Sequence, residues 1–90
     1  MAGFWEWVVH YQSIGHDVVS AMDMARDHHD MTVYYGPMGE VMVHTHYIFT
    51  DEHVMDFSAD GESLRLSLGP ELAFRYINLA VSRGYRVGGL

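Results

Sequence analysis

A chain of 90 residues can build one hydrophobic core, and a hydrophobic content of 49% is enough to fill it. The formal net charge is −7, and all five basic residues are arginines. This balance argues against direct nucleic-acid binding, which needs clustered positive charge. The absence of cysteine excludes disulfides, thiolate nucleophiles and cysteine-ligated zinc.

No apolar run approaches the roughly 20 residues of a membrane span, and residues 1–12 lack the features of a signal peptide. Missing cysteines suit a reducing compartment. We therefore expect a single cytoplasmic domain over residues 1–90 that does not bind a membrane.

Aromatic residues and valines alternate at the start of the chain, which predicts a strand over residues 4–12. One face of that strand would carry Trp5, Trp7, Val9 and Tyr11. A helix is the alternative, because Phe4, Val8 and Tyr11 also recur at helical spacing.

Asp17 is a suitable N-cap, and apolar positions recur after it at helical spacing. The sequence predicts a helix over residues 17–29, with His28 and His29 in its last turn. A short β-prone run follows at residues 31–35, and the glycines and proline of residues 36–39 then predict a turn.

Residues 40–50 carry the clearest strand pattern of the chain. One face is almost entirely apolar and is expected to lie on the core; it comprises Val41, Val43, Thr45, Tyr47 and Phe49. The opposite face is mixed and carries His44 and His46. Side chains two residues apart on a strand are separated by roughly 7 Å at the backbone, so both rings could reach one ion.

The second half of the chain predicts further strands and a helix. Residues 53–58 alternate as a strand, and Asp60-Gly61 is a hairpin turn leading into an amphipathic strand over residues 63–68. Pro70 begins a helix that ends near Gly84. Residues 85–87 are a candidate edge strand, and residues 88–90 are expected to fray.

The predicted order is β-α-β-β-β-β-α, with a further β at the end. Strands grouped between helices indicate an α+β fold. We expect an antiparallel sheet of about four to five strands with two helices packed on one face. A ferredoxin-like arrangement with an inserted hairpin is one way to connect these elements.

Two kinds of function are compatible with these patterns. The first is a small acidic protein-binding module, such as a phage-type or mobile-element accessory protein or inhibitor that docks on the basic surface of a host protein. Its anchors would be aromatic residues, namely Trp5, Trp7 and Tyr11. The large aromatic content also predicts a homodimer.

The second is a metal-binding protein or small metalloenzyme built on His44 and His46. His53 would supply the third ligand across the turn at residues 51–52, and the cluster at residues 28–30 is the alternative source. No cofactor is expected for the first kind of function, and the second would require a divalent metal such as zinc. Catalytic serine motifs and phosphate-binding glycine loops are absent, so the sequence does not by itself indicate an enzyme.

Overall fold

Residues 3–88, which the computed structural model describes, form three α-helices and five β-strands. In chain order these are α1 (Phe4–Ser13), α2 (Val18–Arg26), β1 (His29–Tyr35), β2 (Val41–Tyr47), β3 (Glu52–Ala59), β4 (Glu62–Leu68), α3 (Pro70–Ser82) and β5 (Arg86–Val87). The strands pair antiparallel in the order β4-β3-β2-β1-β5. The predicted α+β class and antiparallel sheet are confirmed, and so is the order of elements from α2 onwards.

The prediction of a strand over residues 4–12 is wrong, because these residues form helix α1. Val8 is only 2% exposed and packs with Ala21 and Ala25 of α2, which are fully buried. Half-buried apolar residues surround this contact: Phe4, Trp7, Tyr11 and Met22. A strand would place Trp7 and Val8 on opposite faces, whereas a helix brings both to the side that packs on α2.

Helix α2 begins as predicted, because the Ser20 backbone N–H donates to Asp17 Oδ1 at 2.8 Å. It ends at Arg26, earlier than the sequence suggested. The His28 carbonyl accepts a hydrogen bond from the Ile48 backbone N–H, and His29 is already the first residue of β1. Pairing with the sheet therefore removes both histidines from the helix.

The hairpin turn predicted at Asp60-Gly61 and both predicted ends of the last helix are confirmed. Asp60 and Gly61 both have positive φ, as a two-residue hairpin turn requires. Pro70 is the first residue of α3, and Gly84 follows its end with φ +94°. Strand β5 pairs with β1 as an edge strand. Residues 89 and 90 of the predicted frayed end lie outside the described residues.

The core lies on the face of β2 that carries Met42 and His44, which corrects the prediction that Val41 and Val43 would face it. Met42 and Met55 are at most 1% exposed and pack with small residues of α3. The strand register explains this choice of face, since it adds the apolar side chains of β3 and β4 to the same side: Met55, Phe57, Leu64, Leu66 and Leu68.

A second core joins α1 to α2, so these helices form a hairpin at one end of the sheet. Ring contacts of Phe4 with Phe49 and of Trp7 with His28 connect them to the sheet. The prediction of two helices on one face is thus approximately right, with α3 on that face.

The radius of gyration is 15.9 Å, against about 12 Å for a compact domain of this length. None of the helices in residues 3–88 is long and apolar enough to cross a membrane.

Candidate metal centre

Three histidine rings lie next to one another on the face of the sheet that α3 covers. His44 and His46 come from β2, and His53 of β3 lies directly opposite His46 in the strand register. The rings are stacked within 8° of parallel, with centroids 4.2 Å apart for His46 and His53 and 5.0 Å apart for His44 and His53. The structure therefore brings together all three residues that the sequence suggested as metal ligands.

A carboxylate that the sequence indicated only as part of a turn joins these rings. Asp51 Oδ1 lies 2.8 Å from His46 Nε2 and 3.3 Å from His53 Nε2. Asp51 has φ +54°, a left-handed conformation that aspartate tolerates better than most residues. An acidic residue in the short turn between two histidine-bearing strands was the signal that could have identified it.

The hydrogen bonds define which ring nitrogens carry protons in the neutral site. An ionised carboxylate only accepts, so His46 and His53 both donate from Nε2 to Asp51. His53 Nδ1 is then an acceptor, and it receives the hydrogen bond from His44 Nε2 at 2.7 Å. The hydrogen bond from His46 is the main cause that lowers the pKa of Asp51, which keeps this carboxyl ionised.

The side chains of the cluster differ in exposure. His53 is 1% exposed and His44 is 9% exposed, whereas the Asp51 side chain is 62% exposed. The Phe74 ring of α3 contacts His53 edge to face, with centroids 5.5 Å apart, and closes that side of the cluster. The histidines are thus held by the sheet and by α3, while the Asp51 side opens to solvent.

Three potential ligand atoms converge in this cluster: those of His46, Asp51 and His53 lie within 4.8 Å of one another. Ligand atoms of a tetrahedral zinc ion are about 3.3 Å apart, given metal–ligand bonds of about 2.0–2.1 Å. His44 lies behind this group as the hydrogen-bond partner of His53. Its predicted role as a direct ligand stays a prediction.

The alternative third ligands from residues 28–30 are arranged differently. His28 stacks on Trp7 with ring centroids 4.0 Å apart, and His29 Nδ1 lies 2.9 Å from the Asp27 carbonyl oxygen. Asp30 is the register neighbour of His46 on β1. Both histidines of residues 28–30 therefore make other contacts, and Asp30 is the residue of this group that the strand register places beside His46.

The predicted partner anchors fall on two sides of α1. Trp7 and Tyr11 belong to the core between α1 and α2, with ring centroids 5.9 Å apart. Trp5 is 64% exposed. The helical geometry separates Trp5 from the other two anchors, and their role in partner binding stays a prediction.

We expect the metal-free protein to lose stability as the pH falls below about 6.5. Burial, together with neighbouring His53 and His46, lowers the pKa of His44 from its usual 6.5. The unfolded chain therefore binds a proton at a higher pH than the folded protein does, and the free energy of unfolding decreases through that window. The urea midpoint should be lower at about pH 5.5 than at about pH 7.5.

The control for this pH dependence is His44→Leu. Its urea midpoint should differ less between the two pH values than the urea midpoint of the wild type does. The same change in the variant and in the wild type would contradict the assignment to His44. Protein concentration and salt should be equal in both series, so that only protonation differs.

Comparisons with known proteins returned no match for this chain among protein-family models, curated protein sequences or solved structures.

Proposed function

We propose that this chain is a metal-binding protein that holds a divalent transition-metal ion between His46, Asp51 and His53. The observation that carries the proposal is the convergence of their ligand atoms within 4.8 Å, two from adjacent strands and one from the turn that joins them. Ligands on paired strands are held more rigidly than ligands on a loop. Only modest side-chain adjustment is needed to close the set around an ion.

The donor set selects the kind of metal. Two imidazole nitrogens and one carboxylate oxygen suit zinc, or iron as Fe(II), whereas magnesium and calcium prefer oxygen ligands. Three protein ligands leave at least one coordination position for water or substrate, as in catalytic zinc sites. The exposed Asp51 side is where such a molecule would enter.

His44 supports this assignment as the hydrogen-bond partner of the proposed ligand His53. Ligation through His53 Nε2 would leave the proton of that ring on Nδ1, and this N–H would donate to His44 Nε2 over the present 2.7 Å contact once neutral His44 holds its own proton on Nδ1 instead of Nε2. Because burial lowers the pKa of His44, its ring is neutral and able to accept. His44 is thus a positioning residue that orients His53 and fixes its tautomer.

The proposal is tested by metal content and affinity. Tag-free protein that has not been exposed to a nickel column should carry a divalent transition metal by mass spectrometry, and metal-free protein should bind zinc with a stoichiometry of one in calorimetry. His46→Ala and Asp51→Asn should each weaken zinc binding strongly, because the first removes a ligand and the second replaces a charged carboxylate with a neutral amide oxygen, which is a weaker zinc ligand. Asparagine is chosen because it retains the left-handed conformation at position 51.

The matched control is His10→Ala, which removes an exposed histidine from α1. Its zinc affinity should equal that of the wild type. Equal affinities of the wild type, His46→Ala and Asp51→Asn would contradict the site, since zinc would then bind elsewhere on this histidine-rich surface. Circular dichroism of each variant checks that the fold persists.

A second candidate function is protein binding through α1. Trp5 is 64% exposed and Val9, one turn later, is 65% exposed, so α1 presents an apolar stripe to solvent. We expect a partner protein purified on the immobilised chain to bind Trp5→Ala at least tenfold more weakly in a titration. Trp7→Ala is a poor substitute, because Trp7 is part of the core between α1 and α2. Equal affinity for Trp5→Ala would contradict this surface.

A further inference from the structure

Strand β4 is an open edge of the sheet. It pairs with β3 along all seven of its residues and is the last strand in the sheet order. An edge strand of this length presents a row of backbone N–H and C=O groups that can pair with another strand. Edge strands are usually protected by proline, bulges or charges that point to the core, whereas the core-side residues of β4 are three leucines: Leu64, Leu66 and Leu68.

Apolar side chains continue from this edge onto α3. Leu64 is 57% exposed although it shares the core face with Phe57, its neighbour on β3. The Phe57 and Tyr76 rings lie 5.6 Å apart, so this side of α3 borders the same surface. Leu72 precedes Tyr76 by one turn and is 48% exposed. One helix of 13 residues thus leaves the β4 side of the sheet partly uncovered.

We propose that a second copy of this chain pairs its own β4 with this edge, antiparallel, about a two-fold axis perpendicular to the sheet. The two sheets then join into one continuous sheet with both α3 helices on the same face. Centring the pair on Leu66 sets Leu64 against Leu68 of the second copy and Arg65 against Ser67 of the second copy. This register aligns the leucines and avoids placing one Arg65 directly opposite the other.

The surface that this register brings together approaches the size of a specific interface. Residues 64–68 of the two copies pair, so the shared edge is about 17 Å long, and it is about 20 Å high across the sheet and helix layers. This is roughly 340 Å² in projection on each copy, and protruding side chains of β4 and α3 increase the accessible area towards the roughly 1,000 Å² in total that a specific interface needs. The chain exposes 6319 Å², against about 5,400 Å² for a compact monomer of its mass.

Charge does not oppose this contact, in spite of the net charge of −7 per chain. Arg65 is paired with Asp56 at 2.6 Å, and Arg75 is paired with Glu71 at 3.2 Å. The edge and the adjoining side of α3 are therefore nearly neutral, with Glu62 at the end of the strand. Most of the unpaired acidic side chains lie elsewhere on the molecule.

Sedimentation equilibrium tests the proposal. The wild type should sediment with twice the 10.3 kDa mass of the chain. Leu64→Lys and Leu72→Lys should each raise the dimer dissociation constant at least thirtyfold, because each would bury an unpaired charge in the interface. Both residues are half exposed in the single chain, so the fold should survive, and circular dichroism checks this.

The matched controls are Val9→Lys on α1 and Met31→Lys on the opposite face of the sheet, which are 65% and 60% exposed. Both should remain dimers. A monomeric wild type would overturn the proposal, and so would a dimer that only Val9→Lys or Met31→Lys dissociates.

A cysteine tests the register, because the natural chain has none. Leu66→Cys should form a disulfide-linked dimer on mild oxidation, since the two positions meet at the two-fold axis about 4.5–5.5 Å apart at Cα. Ser63→Cys lies far from the axis and should remain unlinked. Linkage through Ser63→Cys with none through Leu66→Cys would overturn the arrangement. This test is independent of the metal proposal, because it uses none of the ligand residues.

Discussion

Zinc at one hundred times its dissociation constant is expected to raise the free energy of unfolding of this protein by about 2.7 kcal/mol. On the proposed assignment the ion would bind only the folded chain, because the β2–β3 hairpin holds His46, Asp51 and His53 together. Urea unfolding with and without zinc, at one fixed protein concentration, measures the difference. A constant concentration matters because dimerisation would also shift the apparent stability.

Variants of the proposed ligands and of neighbouring or distant histidines test whether this stabilisation arises at the proposed site. His46→Ala and Asp51→Asn should abolish the stabilisation, and His10→Ala should retain it in full. His44→Leu should bind zinc about 10- to 100-fold more weakly, as is typical when a residue that orients a metal ligand is removed. Equal stabilisation of Asp51→Asn and wild type would contradict the proposed ligand set.

Met55→Ala is expected to destabilise the fold by about 2–5 kcal/mol, even without metal. Met55 is fully buried on β3, between the sheet and α3, and belongs to the core cluster with Met42, Tyr34 and Ala73. Truncation removes apolar contacts and leaves a cavity. Helix α3 cannot move in to fill this cavity, because its small residues already hold it close to the sheet. Met55 also lies opposite His44 in the register, so its loss should loosen the histidine cluster.

The control for this prediction is Met31→Ala on β1, where the side chain is 60% exposed. Its effect on the free energy of unfolding should be within about 0.5 kcal/mol, as is usual at exposed positions. Urea midpoints of both variants and the wild type provide the comparison. A similar loss in both variants would show that the core does not lie on the Met55 face.

Features that depend on a few neighbouring residues could be predicted from the sequence. Asp17 begins α2, Asp60-Gly61 forms the hairpin turn, and Pro70 begins α3. Each depends on local chemistry, such as a side chain that caps a free N–H or a residue that tolerates positive φ. The pairing of β2 with β3 was also predictable from the short turn between them, whereas the register that places His46 opposite His53 is known only from the structure.

The sequence by itself therefore determined the α+β class and the approximate bounds of the elements from α2 onwards, and it suggested three histidines of the candidate site. Only the tertiary structure decided that residues 4–12 are a helix. Their apolar residues recur at spacings that suit both a strand and a helix, and the burial of Val8 against α2 favours the helix. It also decided which face of β2 is buried, since that depends on the apolar residues that β3 and β4 add through the register. The positions of Asp51 and His44 in the cluster were decided in the same way, because a turn conformation and a cross-strand hydrogen bond place their atoms.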